Sequence, residues 1–157
     1  MPSITDYAAI ATAAGVVLGT VFVLVQLKHM EMHRNLEISM KMFEWAESDR
    51  LRKAFRWVDN EFQFENYAKY KLQEASNYEA GDHPHEVVAF FEQVGFMVEK
   101  RFVDLDVIDD RLGEHIISNW KKLEPWIMAL RKEGQYHEFG RHFQRLYERT
   151  LEYVKET

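Results

Sequence analysis

One segment near the start of the chain constrains its fold more than any other feature, because no charged residue occurs between Asp6 and Lys28. As an α-helix, positions 7 to 27 would extend roughly 31 Å, which matches the hydrocarbon thickness of a bilayer. The central part, AIATAAGVVLGTVFVLV at residues 9–25, is apolar all round rather than along one stripe. Helices buried in soluble domains rarely run so long without a charge, so the sequence predicts a transmembrane anchor over residues 1–28.

A cleaved signal peptide is the nearest alternative, and the flanks of the segment argue against it. Such a peptide carries Lys or Arg before its apolar run and a small-residue cleavage site after it. This chain has MPSITD before the run and QLKHMEMHR after it. The positive charges follow the run instead, at Lys28, Arg34, Lys41, Arg50, Arg52, Lys53 and Arg56. By the positive-inside rule, this asymmetry predicts a single-pass protein of the inner (plasma) membrane, with its N-terminus outside and its C-terminal domain in the cytoplasm.

Small residues recur at four-residue spacing within the predicted anchor, at Ala11, Gly15 and Gly19. On a helix they form one strip, along which the backbone of a second helix could approach closely. The alternative is that glycine is simply frequent in membrane helices. If the strip is a packing surface, it implies a homo-oligomer or a second membrane protein as partner.

Residues 29–157 are predicted to form an all-α cytoplasmic domain, a bundle of about five helices that includes a membrane-proximal stalk. No Pro or Gly occurs between Val21 and Ala80, so the anchor helix could continue as far as Val58. One face of that helix carries the expected core stripe, which consists of Leu36, Met40, Phe43, Leu51, Ala54, Phe55 and Val58. The opposite face would contact a partner or the lipid surface, unless the helix is packed on both sides within the domain; it consists of Ile38, Met42 and Trp45.

The remaining helices are predicted from apolar periodicity and turn residues. Residues 61–75 indicate one helix, and the apolar segment from His85 to Phe102 indicates the central helix of the core, with Gly95 admitting a close neighbour. EAGDHP, residues 79–84, is predicted as the loop before it. The pattern then predicts a short helix stopped at Gly113, a helix that restarts at Pro125 and ends at Gly134, and a last helix over residues 135–156.

Composition excludes several classes of function. The chain has no cysteine, which rules out disulfide frameworks, thiolate zinc sites and cysteine nucleophiles. The net charge of −6 argues against a nucleic-acid partner, since binding to phosphates needs clustered Lys and Arg. No Gly-rich phosphate loop, G-x-S-x-G elbow or HExxH zinc motif occurs. The sequence therefore predicts no catalytic residue, no cofactor and no evident small-molecule substrate.

The seven histidines form no recognised metal motif. The two closest groupings are His29 with His33, and His83 with His85 and Glu86. A helical di-iron site needs Glu-x-x-His pairs on two helices, and such pairs do not occur in this sequence. We therefore expect no metal site from the sequence.

Two carboxylates on the predicted central helix, Glu92 and Glu99, are seven residues apart and could project from the same side. Paired carboxylates can act as general acid and base when burial separates their pKa values. More often such residues form ion pairs at the edge of a bundle, here with an Arg such as Arg101 or Arg131. An enzymatic function of this chain would depend on these two side chains.

Three features of the chain, taken in order, resemble a known family. They are the N-terminal anchor with a charged helix after it, the segment FFEQVGFMVEKRFVDLDVIDDRLG from Phe90 to Gly113, and Trp120 with PWIMALR. The family is one of small prokaryotic membrane-anchored proteins, the domain of unknown function 4760. Its middle segment looks similar, with a paired aromatic before Glu, a Gly one turn on, a basic end and an acidic turn. These are packing and capping motifs, so the resemblance implies the architecture and no activity.

Two functional hypotheses follow from these features. The first is a membrane-tethered interaction or scaffold module that assembles with itself or serves as an accessory subunit of a membrane complex. The second is a membrane-bound helical enzyme that uses Glu92, Glu99 and histidines. The sequence favours the first, because it offers an anchor and a small-residue strip but no catalytic motif.

Overall fold

The computed structural model describes residues 4–156, and the side chains of these residues except those at positions 5–7, 9–11, 78, 80 and 156. This part of the chain is helical and contains no β-strand, which confirms the predicted all-α class. The helices are α1 (Ile4–Ala46), α2 (Asp49–Asn60), α3 (Tyr67–Ser76), α4 (Tyr78–Glu99), α5 (Leu105–Glu133) and α6 (Arg141–Glu156).

The chain divides into two units, Met1–Glu37 and Ile38–Thr157. The described residues of the first unit form the N-terminal part of α1, and their large apolar side chains are exposed. From Val16 to Leu27, their exposed fractions lie between 48% and 70%. Packing within the described residues therefore does not explain why this segment is apolar.

Helix α1 ends at Ala46, so the anchor helix does not continue as far as Val58, as the lack of Pro and Gly would have allowed. The backbone of Ser48 is extended, and its hydroxyl accepts a 3.4 Å hydrogen bond from the amide of Leu51. Helix α2 then starts at Asp49. Because serine is a strong N-cap, one residue starts a new helix here without the help of Pro or Gly.

This break changes which face of α1 is buried. Met42 is 5% exposed and belongs to the core, whereas Leu36 and Met40 of the predicted stripe are 57% and 60% exposed. The part of the stripe beyond the break is buried as predicted, and it includes Leu51, Ala54 and Val58. One helical register cannot describe both segments, because the non-helical residue Ser48 separates them.

Helix α4 is the central helix of the second unit, as predicted, and packs against α2, α3, α5 and α6. The side chains of Phe90 and Phe91 on α4 are fully buried. The ring of Phe91 stacks on that of Phe143 in α6, with centroids 4.6 Å apart, and Trp120 of α5 meets Phe143 edge-on at 5.1 Å. Each such aromatic pair contributes about 0.5–1.5 kcal/mol beyond the burial of its area.

Helix α4 begins at Tyr78, so residues 79–84 form its first turns and the predicted loop is wrong. The side chain of Asn77 caps the helix by accepting a 3.0 Å hydrogen bond from the amide of Glu79. Pro84 lies inside the helix, although it has no amide hydrogen to donate to the preceding turn. As a result, His83 and Glu86 lie one turn apart on a single helix.

Helix α5 runs without interruption through Gly113 and Pro125, so the predicted stop and restart are wrong. Gly113 is buried, and a Cβ at this position would lie 2.5 Å from Oδ1 of Asp109. That oxygen is the end of a flexible side chain on the same helix, so Gly113 marks neither a close helix contact nor the end of α5. The predicted end at Gly134 is confirmed, since Gly134 is the C-cap and its amide donates to the carbonyl of Leu130 at 3.0 Å.

Two helices start later than their apolar patterns suggested. Helix α3 begins after Asn66, whose side chain accepts a 2.9 Å hydrogen bond from the amide of Lys69. Helix α6 begins after Gly140, which has a φ of +70°. A residue in this left-handed conformation cannot continue a helix, and glycine adopts it without strain.

Candidate functional site

The apolar part of α1 is the first candidate site. Among the described residues one helix is long and apolar enough to cross a membrane, the Thr12–Ala46 part of α1. Its most apolar stretch has a mean hydropathy of 1.6, and none of that stretch is buried. By length and composition this helix meets the requirement for a transmembrane span.

Two of the three residues of the predicted small-residue strip lie on this part of α1. A Cβ added at Gly15 or Gly19 would have no described atom within 4 Å apart from the nearby backbone of α1 itself. The side chain of the third residue, Ala11, lies outside the described residues. The surface beside the two glycines is therefore open to a second helix.

The predicted partner face is largely covered by the domain itself. Met42 is in the hydrophobic core, and Ile38 is partly buried against that core. Trp45 is 37% exposed, and the edge-on contact between its ring and Phe90 has a centroid distance of 5.1 Å. Of the three residues, Trp45 alone keeps a large accessible surface.

Glu92 fixes the start of α6. Its Oε2 accepts a 2.9 Å hydrogen bond from the backbone amide of Phe143, the third residue of α6. The first amides of a helix have no partner within the helix, and a carboxylate is well suited to accept from them because of the helix dipole. Glu92 thus provides, from a neighbouring helix, the capping contact that α6 needs.

Glu99 contacts two side chains of the same helix, those of His142 and Arg145. Its Oε2 lies 2.8 Å from Nδ1 of His142, and both of its carboxylate oxygens lie 3.0 Å from a guanidinium nitrogen of Arg145. The hydrogen bond from His142, and then the one from Arg145, lower the pKa of the Glu99 carboxyl below its ordinary value of 4.5. The carboxylate is therefore stabilised in its charged form.

The close packing predicted at Gly95 is confirmed between these two carboxylates. A Cβ at Gly95 would lie 2.2 Å from the backbone oxygen of His142, far inside contact distance. The absence of a side chain lets the start of α6 lie directly on α4. Glu92, Gly95 and Glu99 thus form one docking surface for α6, which we call the α6 seat.

The α6 seat gives the predicted polar pair a structural role. The partner of Glu99 is Arg145, while Arg131 donates to the carbonyl of Phe139 at 2.8 Å and to Gln144 at 2.7 Å. Both carboxylates accept hydrogen bonds from α6, which are contacts typical of residues that hold two helices together. Sequence spacing placed both on one face of α4, but it carried no signal for partners 51 and 43 residues later in the chain.

A groove of about 660 Å³ in the second unit lies between α2, α5 and the end of α1. Its apolar floor includes Phe43, Phe55 and Leu112. Charges of both signs surround this floor, and they come from Glu47, Arg52, Arg56, Asp59 and Arg111. Mixed charges of this kind are typical of a solvated groove and do not select one class of small ionic ligand.

Residues 9–150 match the family described as Domain of unknown function (DUF4760). No curated protein and no solved structure matches significantly. The matched region includes most of α1 and the whole bundle as far as Thr150, which confirms the resemblance carried by the segment from Phe90 to Gly113. The chain belongs to the DUF4760 family.

Proposed function

We propose that this chain is a membrane-anchored helical module that assembles with itself or with another membrane protein, as a scaffold or accessory subunit. The observation that carries the proposal is the exposure of the apolar part of α1. Leu18, Phe22 and Leu24 are 70%, 62% and 60% exposed. Keeping apolar surface in water costs roughly 25 cal/mol per Å², and a lipid bilayer removes this cost over the whole segment.

The charges around the span support one orientation. Lys28, Arg34 and Lys41 follow the apolar segment, and no Lys or Arg precedes it in the given sequence. We place the N-terminal side of the span outside the inner membrane and the Ile38–Thr157 unit in the cytoplasm.

A reporter protein fused after Thr157, active on only one side of the membrane, tests this orientation. We expect cytoplasmic activity from the unmodified chain. As a control, replacing Lys28, Arg34 and Lys41 by Gln and adding lysines before the span should shift the reporter outward. Reporter activity outside the membrane in the unmodified chain contradicts the proposed orientation.

The open surface beside Gly15 and Gly19 supports assembly within the membrane. Small residues let two helix backbones approach, so that packing and weak hydrogen bonds can associate helices where lipid is the competing solvent. Ala11 would extend the same strip by one turn. We propose that this strip contacts a second copy of the chain or the span of a partner.

Cross-linking in native membranes, followed by purification and mass spectrometry, tests the assembly. We expect a cross-linked species containing either two copies or one partner. Gly15→Leu and Gly19→Leu should reduce it, while Val17→Leu, which adds a methylene on the opposite face, should leave it unchanged. A strictly monomeric chain with no co-purifying protein contradicts the proposal.

The contacts of the α6 seat argue against the enzymatic hypothesis. That hypothesis required Glu92 and Glu99 to be available for proton transfer. Glu92 instead caps α6, and Glu99 is paired with His142 and Arg145. We therefore propose a binding role and assign no catalytic residue.

A further inference from the structure

A cluster of potential metal ligands lies on α4, where this helix faces α2. It consists of Asp82, His83 and Glu86, and one ligand atom from each lies within 4.8 Å of the others. His83 is 6% exposed, so its imidazole is more than nine-tenths buried. The side chains of Glu86 and Asp82 are 15% and 31% exposed, so the cluster is open to solvent on the Asp82 side.

The buried polar atoms of this cluster lack partners. Neither ring nitrogen of His83 has a hydrogen bond within the described part of the chain, and neither has Oε2 of Glu86. The distance from Nδ1 of His83 to this oxygen is 3.6 Å, and Nε2 lies 4.0 Å from the Glu79 carboxylate. A buried polar group without a partner costs about 1–3 kcal/mol, so the proximity of Nδ1 of His83 to Oε2 of Glu86 without a hydrogen bond indicates a bound species at these two atoms.

We propose that Asp82, His83 and Glu86 bind a divalent first-row transition-metal cation such as Zn²⁺. The cluster offers one imidazole nitrogen and two carboxylates, a set that suits such a cation better than Mg²⁺ or Ca²⁺, which prefer oxygen ligands alone. Three protein ligands leave a coordination position for water. His83 and Glu86 lie one turn apart on α4, so the helix holds two of the three ligands in fixed positions.

Arg50 of α2 would compete with this cation for the two carboxylates. Its guanidinium pairs with Oε1 of Glu86 and lies 3.9 Å from Asp82, and its side chain is 74% exposed. Because the Arg50 side chain is exposed, it can move into solvent when a cation takes its place beside Glu86. The nearby Lys53 is paired with Glu79 and does not contact the three ligands.

Zn²⁺ titration of the full-length chain in detergent, followed by calorimetry, tests the site. His29 and His33 lie one turn apart on α1 and could bind Zn²⁺ by themselves, so every protein in the series carries His29→Ala and His33→Ala. We expect one saturable site per chain, whose affinity falls at least about tenfold in His83→Gln and in Glu86→Gln. The exposed His137→Ala is the matched control and should change nothing.

The Arg50→Ala variant tests whether Zn²⁺ competes with Arg50 for the carboxylates of this cluster. Because Arg50 and Zn²⁺ compete for the same carboxylates, we expect this substitution to leave Zn²⁺ affinity unchanged or to raise it. If the bound species were water, Zn²⁺ would show no saturable binding, and that result overturns the proposal. So does an affinity that stays the same in His83→Gln.

Circular dichroism confirms that each variant is folded. If the buried His83→Gln does not fold, Glu86→Gln and Asp82→Asn decide the matter, because both conserve side-chain volume at partly exposed positions. Unchanged Zn²⁺ affinity in both of these variants overturns the proposal, and a loss in both supports it.

Discussion

The carboxylate of Glu92 on α4 accepts a 2.9 Å hydrogen bond from the backbone amide of Phe143 on α6. This bond joins the most buried helix of the domain to the first turn of the last helix. Phe143 also stacks its ring on Phe91, with centroids 4.6 Å apart, so one residue of α6 is held through both its backbone and its side chain. These contacts fix the start of α6 on α4, while the rest of α6 also packs against α5.

Replacing Glu92 with alanine removes the acceptor for the Phe143 amide. We expect Glu92→Ala to lower the free energy of unfolding by about 1–2 kcal/mol, the usual cost of a lost helix cap. Glu92→Gln keeps an acceptor oxygen and should cost less. Urea unfolding of the full chain in detergent measures both, and equal losses in the two variants would contradict the capping role.

Alanine at Gly95 would normally stabilise a helix by up to about 1 kcal/mol. Here its Cβ would lie 2.2 Å from the backbone oxygen of His142, which cannot move without shifting α6. We expect Gly95→Ala to destabilise the domain by about 1–3 kcal/mol, the range for overpacking. Gln93→Ala, at an exposed position of the same helix, is the control and should be close to neutral. Urea unfolding of the full chain in detergent measures the free energy of unfolding of both variants. A stabilised Gly95→Ala variant would show that α6 does not pack against Gly95.

Glu99 makes stability depend on pH in a defined direction. Its pKa in the folded chain is below the ordinary value of 4.5, because His142 and Arg145 donate to the carboxylate. Such a group stabilises the fold above its unfolded pKa, and this contribution is lost as pH falls through the lower folded pKa. We expect the stability difference between the unmodified chain and Glu99→Gln to be largest at neutral pH and to shrink below about pH 4.5.

Urea unfolding between neutral pH and about pH 3 measures this difference. Glu124→Gln, at an exposed position of α5, is the matched control. A Glu99→Gln difference that stays constant across the whole acid range would contradict the pairing of Glu99 with His142 and Arg145.

Apolar periodicity located the helices of the bundle, because burial on one face is what holds each of them in place. It could not locate every boundary. Ser48 starts a new helix by a single hydrogen bond to Leu51, and Asn77 starts α4 before the Gly and Pro that suggested a loop. Such caps act through local geometry, and their residues also occur within helices and loops, so spacing alone does not identify them.

The sequence was also insufficient to assign the roles of some glycine and glutamate residues. The sequence predicted a close neighbour at Gly95 and a helix end at Gly113, yet both glycines lie inside helices. At Gly95 the neighbour is the backbone of α6, whereas at Gly113 it is the side chain of Asp109 on the same helix. Likewise, Glu99 was recognised as half of an ion pair, but its partner Arg145 lies 46 residues later, and only the fold brings the two together.

A charge in the middle of the span should impair its insertion. Val17 is 61% exposed within the apolar part of α1. We expect Val17→Arg to make insertion less favourable by roughly 2.5–3.5 kcal/mol, and Val17→Leu to leave it unaffected. The inserted fraction in a membrane-integration assay measures the effect. Unchanged insertion of Val17→Arg would indicate that this segment does not cross the bilayer.

Membrane fractionation of the full-length chain tests the central claim, that α1 anchors the domain in a bilayer, most directly. Membranes are washed at alkaline pH and high salt to remove peripheral proteins, and the chain is then followed in pellet and supernatant. We predict that residues 1–157 stay in the pellet until detergent is added, whereas residues 38–157, the second unit alone, appear in the supernatant. A full-length chain that is recovered in the supernatant without detergent would contradict the anchor, and with it the membrane role of Gly15 and Gly19.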